Sequence, residues 1–183
     1  MNAQNTSERI AAVKKRPGIG PKSPTGLGRV SYLMIEETRR RELEDFLHRQ
    51  IPLTRSMQVK VETYDGRALV LSAPLSANHN HLGTAFGGSL AALMILAGYG
   101  LLWLELEHRP AHVVVRESTI NFHRPVRGTI HATCHRPDSS VLEEFHQKLV
   151  KKGRARISLE VTIQDHDELA ASLIGVFVAI AAS

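Results

Sequence analysis

The sequence predicts an α+β domain in which a mostly antiparallel sheet wraps around one long apolar helix. Two patterns predict it. Residues 82–104 run for 23 residues without a charge, which suits either a helix buried on all sides or a membrane span. After Pro110 the chain alternates apolar and polar residues and is rich in β-branched side chains, which is typical of strands.

The uncharged run is interpreted as a buried helix. It holds five glycines and the polar residues Thr84 and Ser89, and its most apolar part, 90–104, has only 15 residues. A bilayer needs about 20 apolar residues. The strands that follow supply a sheet to cover the helix. A membrane span remains the alternative, and we expect none.

A helix and a hairpin are predicted before this run. Apolar residues at helical spacing predict a helix over residues 35–50, which Pro52 ends. Alternation over residues 59–63 and 69–71, on either side of Asp65-Gly66, predicts a β-hairpin.

Four strands and a short helix are predicted after it. Strands are expected over 112–123, 129–136, 157–163 and 169–182. Between the second and third of these, Ser140-x-x-Glu143 is the pattern of a capping box, which opens a helix that ends near Lys152 and Gly153. The last strand is nearly all apolar, as expected if it is covered on both faces or paired at a subunit interface.

Charge and composition divide the chain into an arm and a body. The 183 residues carry a net charge of +5, and residues 1–30 hold six bases and one acid, which accounts for all of it. We interpret residues 1–32 as a disordered, basic, Pro/Gly-rich arm and 33–183 as one domain. The basic segment 14–28 of the arm has no aromatic residue for base stacking, so no nucleic-acid partner is expected. The single cysteine and the lack of a secretory pattern favour the cytoplasm.

The densest polar signal is the block 78–89, Asn-His-Asn-His-Leu-Gly-Thr-Ala-Phe-Gly-Gly-Ser, directly before the apolar helix. A helix that starts near Phe86 presents free N–H groups and the positive end of its dipole. Gly87 and Gly88 bring no side chain between these groups and a ligand. Such donors suit the oxyanion of acyl transfer, where one contributes about 3 kcal/mol. Alternatively, the glycines only let the helix pack closely on a strand.

This block, Asn-x-Asn-x-x-Gly-Thr-Ala-Phe-Gly-Gly-Ser, with Leu-Ala-Ala-Leu and the later Leu-Ala-Gly-Tyr-Gly-Leu-Leu-Trp-Leu, resembles the thioesterase domain at the C-terminus of YiiD-type proteins. The resemblance covers residues 33–182. It implies the hotdog fold and the superfamily of acyl-CoA and acyl-carrier thioesterases. It also implies a free-standing domain, because residues 1–32 are too few for the acetyltransferase domain that precedes it in some relatives.

The resemblance makes Asn80 the first polar catalytic candidate, as a group that points at the thioester carbonyl or holds the attacking water; loop capping is its alternative. His81 is a candidate base. The hydroxyl of Ser89 caps the helix or touches the thioester. Asn78 is either a turn former or a substrate contact. The remaining predicted substrate contacts are Thr84, Phe86, Glu117, Arg124 and Arg127, of which the two arginines would bind the phosphates of coenzyme A or phosphopantetheine.

One departure concerns the base. Many hotdog thioesterases of this type place an acid on the central helix about two turns past the glycines, where this chain has Ala92 to Leu96. Glu105 and Glu107 lie about 25 Å from the helix start and are not the base. The base is then His81, a carboxylate such as Glu117 from another strand or subunit, or a water held by Asn80 and Ser89.

No metal or cofactor is expected, beyond the coenzyme A or phosphopantetheine of the substrate. His131 and His135 fall on one strand face and Cys134 on the other, so the three cannot converge on zinc. Glu117, Thr119, Asn121 and His123 are expected on one face of a strand, which is either the solvated side or a functional one.

The sequence therefore predicts a cytoplasmic homodimer or dimer of dimers that hydrolyses acyl thioesters of coenzyme A or acyl carrier protein in fatty-acid metabolism. The unpaired edges of the sheet favour dimerisation. A non-catalytic acyl-thioester-binding module is the alternative, because the helical acid is missing. A dehydratase is less favoured for the same reason. The acyl chain is expected to contact Leu90, Leu93, Met94 and Phe122, which core packing explains equally well.

Overall fold

The computed structural model describes residues 26–106 and 111–182, with side chains from Met34 onward. The chain forms two units, Met1–Leu33 and Met34–Ser183. Of the first unit, the described part is a helical backbone from Gly26. Residues 1–25 of the predicted arm lie outside the described residues, so the arm stays a prediction there.

Five helices and six strands are found in the described residues. The helices are α1 (Gly26–Gln50), α2 (Leu53–Ser56), α3 (Leu75–Asn78), α4 (Gly87–Glu105) and α5 (Ser139–Lys152). The strands are β1 (Lys60–Tyr64), β2 (Ala68–Ala73), β3 (Ala111–Phe122), β4 (Ile130–His135), β5 (Arg154–Asp165) and β6 (Glu168–Ala181). The predicted order of elements is confirmed.

The six strands form one antiparallel sheet in the order β1-β2-β4-β5-β6-β3. Strict alternation in β5 buries every second residue from Ala155 to Ile163. The same face of β6 carries Phe177, whose ring lies against α4 at Gly98. This inner face of the sheet, defined by the residues of β5 and β6 that share the side of Phe177, therefore covers the central helix.

Helix α4 is buried on most of its circumference, which an apolar helix requires in water. Its buried residues are Leu90, Leu93, Met94, Leu96, Ala97, Gly98, Gly100, Leu101, Leu102 and Leu104. A Cβ added at Gly98 would lie 2.5 Å from the ring of Phe177, and one at Gly100 would lie 2.9 Å from Leu69. These two glycines let α4 approach the sheet closely.

One helix in the described residues is long and apolar enough to cross a membrane, and it is α4. More than half of its most apolar window is buried inside the protein. The interpretation of the uncharged run as a core helix is confirmed.

The two edges of the sheet differ. At the β1 edge, the backbone N–H of Val61 donates to the carboxylate of Glu44 on α1 at 2.7 Å. Helix α1 also packs Phe46 on Tyr99 and Trp103 of α4, with ring centroids 6.3 and 5.2 Å apart. The β3 edge pairs only with β6 among the described strands, and most of its twelve residues are exposed.

Two predicted helix starts were wrong. Helix α1 begins at Gly26 rather than near residue 35, although it ends at Gln50 as predicted. Helix α5 begins at Ser139 with Asp138 at its N-cap and no side-chain cap, so Ser140 and Glu143 form no capping box. At its C-terminus, Gly153 has the left-handed backbone conformation with φ of 66°, as predicted for a helix-ending glycine.

We predict that Gly98→Ala destabilises the protein, because the new methyl group meets the ring of Phe177 inside a closely packed core. Overpacking of this kind costs about 1–3 kcal/mol. Urea denaturation followed by circular dichroism measures the free energy of unfolding. An unchanged or increased value would contradict the close packing of α4 on the sheet.

Candidate functional site

The loop that enters α4 is organised by Asn80. Its side-chain Oδ1 accepts from the N–H of Leu82 at 2.8 Å and of Thr84 at 3.3 Å, and its Nδ2 donates to the Thr84 hydroxyl at 3.0 Å. Its backbone N–H donates to the Thr84 carbonyl at 2.7 Å, and Gly83 completes the turn with φ of 73°. The loop-capping alternative for Asn80 is therefore the role that its contacts show.

Asn78 holds the other end of this loop from inside the protein. Its side chain is 2% exposed, and its Nδ2 donates to the carbonyls of Met57 and Pro74, both at 2.9 Å. Its backbone carbonyl accepts from the N–H of Phe86 at 2.8 Å. This backbone bond holds Phe86, the residue that precedes α4, in place. The burial of the Asn78 side chain argues against its predicted contact with substrate.

The first turn of α4 has no side-chain cap. Phe86 occupies the N-cap position with an extended backbone, where an acceptor such as Ser or Asp is usual. No hydrogen bond in the described residues uses the N–H groups of Gly87, Gly88 or Ser89. An uncapped first turn costs stability, on the order of 1 kcal/mol, and leaves these donors for another acceptor.

Two aromatic rings flank these donors. A Cβ added at Gly88 would lie 2.2 Å from the ring of Phe86, and one at Gly87 would lie 3.7 Å from the ring of Phe122. Both phenylalanines are 55% exposed. A methyl group at Gly88 would therefore displace the exposed Phe86 ring, whereas Gly87 has room for a methyl group. Phe122, at the end of β3, was predicted to contact the acyl chain, and its position beside Gly87 is a finding of the structure.

The loop between β3 and β4 adjoins the same region, since the N–H of Ala85 donates to the carbonyl of Val126 at 2.9 Å. Arg124 and Arg127 lie on this loop and are exposed. Arg124 forms an ion pair with Glu168, and the backbone N–H of Arg127 donates to Asp165 at 3.4 Å. The structure therefore brings both predicted phosphate-binding arginines to the neighbourhood of the glycine loop.

The other loop candidates differ in exposure. His81 is exposed on the loop, and Thr84 is half-buried and bonded to Asn80. Ser89 is half-buried in the first turn of α4. It does not cap the helix, because the N-cap is Phe86 and no side chain bonds there. Of the predicted roles of Ser89, contact with the thioester and the holding of a water with Asn80 stay predictions.

Glu117 lies on the opposite face of the sheet from α4. An irregularity between Val115 and Glu117 leaves Arg116 unpaired and reverses the alternation of β3. Beyond it, Phe122 pairs with Ala171 on the inner face, whereas Glu117 pairs with Val176 on the outer face. Within one chain, Glu117 and the glycine loop are therefore not brought together. Glu117, Thr119, Asn121 and His123 share the outer face, as predicted, and all four are exposed.

Glu105 has a structural role at the far end of α4. Its carboxylate accepts from Arg136 Nε at 2.8 Å and from an Arg136 terminal nitrogen at 3.2 Å, and the Tyr64 hydroxyl lies 3.4 Å away. The hydrogen bond to Glu105 raises the pKa of Arg136, and burial together with Glu105 raises the pKa of Tyr64. These contacts agree with the expectation that Glu105 is not the base. Glu107 lies outside the described residues.

The histidines of β4 alternate with its cysteine as predicted. His131 and His135 are exposed, whereas Cys134 is fully buried on the other face. Burial raises the pKa of the Cys134 thiol to about 12. In the described part of the chain, no three metal-ligating side chains form a cluster.

The predicted acyl-channel residues separate into two groups. Leu90, Leu93 and Met94 are at most 4% exposed and belong to the core. Phe122 is 55% exposed and lies beside Gly87. Phe122 is therefore the member of the predicted set that lies on the surface of the site.

An antiparallel sheet wrapped around one long helix, with an uncapped glycine turn at the helix start, defines a hotdog fold of the thioesterase type. The family described as "Putative thioesterase (yiiD_Cterm)" matches residues 40–181. The chain belongs to this family.

Solved structures agree with this assignment. A protein of unknown function from Chlorobaculum tepidum superposes with a TM-score of 0.78 at 32% identity, covering 80% of this chain and 97% of that one. A putative thioesterase from Shewanella oneidensis has a TM-score of 0.72 at 26% identity, covering 79% and 99%. A Pseudomonas aeruginosa protein described as a probable thioesterase has a TM-score of 0.67 at 25% identity, covering 80% and 95%.

We predict that Glu105→Gln lowers stability but not activity per folded molecule. The change leaves the Arg136 guanidinium, whose side chain is 30% exposed, without its charged partner. Allowing for that exposure, the loss is about 2 kcal/mol. Urea denaturation measures it, with the exposed Glu42→Gln as the matched control. Full stability together with lost activity would instead place Glu105 in the reaction.

Proposed function

We propose that this chain hydrolyses acyl thioesters of coenzyme A or of an acyl carrier protein. The observation that carries the proposal is the uncapped first turn of α4, whose N–H groups at Gly87 and Gly88 lack acceptors among the described residues. A thioester carbonyl placed there would accept these hydrogen bonds, which strengthen as charge develops on its oxygen.

In the proposed reaction, a water oxygen attacks the carbonyl carbon and a base takes its proton. The tetrahedral intermediate then expels the sulfur, the C–S bond breaks and the thiol leaves with one proton. The entry loop carries two exposed histidines, His79 and His81, on either side of Asn80. The ring of His79 contacts the Asn80 carbonyl at 3.0 Å, and we assign the role of base to His81. Asn80 keeps the loop in place through its bonds to Leu82 and Thr84.

We assign to the β3–β4 loop the binding of the part of the substrate that carries the acyl group, coenzyme A or phosphopantetheine. Arg124 and Arg127 are exposed there, and the loop is joined to the glycine loop by the Ala85–Val126 hydrogen bond. Guanidinium groups suit phosphate oxygens because their donors are planar and bidentate. The phosphates of coenzyme A or of phosphopantetheine are the proposed ligands, and no other cofactor is invoked.

A homodimer is part of the proposal. Among the described residues, one edge of the twelve-residue strand β3 has no partner strand, and Val114 and Val115 on it are 49% and 38% exposed. Edges of this length are normally covered or paired. Pairing of two copies along β3 would bring a second chain next to Phe122 and Gly87. Cytoplasmic localisation and a place in fatty-acid metabolism remain predictions from the sequence.

A non-catalytic acyl-thioester-binding module is the second candidate. One observation favours it: helix α4 carries no carboxylate in its first two turns, where many relatives have one. Binding would then use the same N–H groups without hydrolysis.

We predict that the purified chain releases thiol from acyl-CoA substrates of graded chain length. A thiol reagent measures the release, and Cys134 is the only cysteine and is too deeply buried to react. We expect Gly87→Ala to lower kcat/KM about 100-fold, because its methyl group displaces the carbonyl from the donors. Stability should not fall, since the nearest ring atom is 3.7 Å from that methyl position.

Glu42→Ala is the control, because Glu42 is exposed on α1, outside the glycine loop and the β3–β4 loop. It should keep wild-type activity. If no acyl-CoA is hydrolysed but acyl-CoA binds and Gly87→Ala weakens the binding, the binding module replaces the enzyme. Equal activity of Gly87→Ala and wild type would remove the first turn of α4 from the site.

A further inference from the structure

The charge of the domain is not evenly distributed. Residues 31–183 hold 17 bases and 17 acids, yet residues 148–156 hold five bases and no acid. Four of these bases, Lys148 and Lys152 of α5 and Arg154 and Arg156 of β5, line one surface depression together with Ala155. We call this depression the basic depression.

The arrangement places like charges next to each other. Lys148 and Lys152 are one helical turn apart, and Arg154 and Arg156 lie on the same face of β5. Like charges at these spacings repel and reduce stability unless an anion lies between them. Basic residues in the last turn of α5 suit the helix dipole. That explanation does not extend to the two arginines, which follow Gly153 and belong to the strand.

Little within the protein neutralises the basic depression. Lys148 forms an ion pair with Glu144 at 2.6 Å, and the structure shows no ion pair for Lys152, Arg154 or Arg156 in the residues that it describes. The β6 residues paired with the two arginines are Ile180 and Val178, which carry no charge. Strand β4 pairs with β5 only around residues 161–163 and does not reach them.

The basic depression is separate from the glycine loop. Arg154 pairs with Ile180 at one end of β6, and Phe122, which contacts the Gly87 position, pairs with Ala171 near the other end. Nine residues of strand separate these positions, or about 30 Å. A ligand bound here does not occupy the proposed catalytic site of the same chain.

We propose that the basic depression binds a cluster of phosphate groups, such as a pyrophosphate or the phosphorylated nucleotide end of coenzyme A. Two arginines and two lysines line it. Charge-assisted hydrogen bonds to phosphate oxygens are the strong contacts that these donors form. Neither the proposed hydrolysis nor the donors of α4 are needed for this binding.

Isothermal titration of the full chain with inorganic pyrophosphate, coenzyme A and poly-glutamate tests the proposal. We expect saturable binding of pyrophosphate, coenzyme A or both that weakens at high salt. The double variant Arg154→Gln/Arg156→Gln should weaken it at least about tenfold. Arg55→Gln/Lys60→Gln, at exposed positions outside the depression, is the matched control and should bind like wild type.

The pattern of binding identifies the phosphate source. Binding of pyrophosphate that the arginine variant weakens supports a general phosphate site. Two coenzyme A sites, of which the arginine variant weakens one and leaves the one proposed at Arg124 and Arg127, support its nucleotide end. Gly87→Ala should bind pyrophosphate as wild type does, which keeps this result separate from hydrolysis. The proposal is overturned if neither pyrophosphate nor coenzyme A binds, or if only poly-glutamate binds. It is also overturned if the control variant Arg55→Gln/Lys60→Gln loses as much affinity as the arginine variant.

Discussion

Helix α4 must be kept from water on nearly its whole circumference, and the rest of the structure follows from this constraint. The sheet covers one side through the inner face of β5 and β6, and α1 covers another through Phe46. Contact is close because α4 has no side chain at Gly98 and Gly100, where Phe177 and Leu69 pack. The helix is thereby held in one closely packed position against the sheet.

Because α4 is rigid, its first turn is a fixed set of donors. The helix starts at Gly87, after a loop that Asn78 and Asn80 tie down from both ends. A Ser, Thr, Asp or Asn at the N-cap would accept a hydrogen bond from one of the free N–H groups, but the side chain of Phe86 has no acceptor atom. Its ring lies over Gly88 instead, and Phe122 lies beside Gly87. The fold therefore places donors that have no acceptor among the described residues between two exposed aromatic rings.

Sequence patterns predicted the elements that depend on burial and missed the features that depend on local backbone detail. The uncharged run and the strict alternation of β5 predicted α4 and the sheet, because hydrophobic periodicity dominates both. Arg116 has no partner residue on β6, which reverses the alternation of β3 and turns Glu117 away from α4. No residue pattern indicates this irregularity. The position of Phe122 beside Gly87 depends on tertiary packing, so spacing along the chain did not predict it.

Amide hydrogen exchange of α4, with and without a non-hydrolysable acyl-CoA thioether, tests this account most directly. The account predicts that the N–H groups from Leu90 to Leu104 exchange only on global unfolding. Those of Gly87, Gly88 and Ser89 should exchange fast in the free protein and slow down when the thioether binds. Fast exchange within the middle of α4, or no change in its first turn at saturating ligand, would contradict the account.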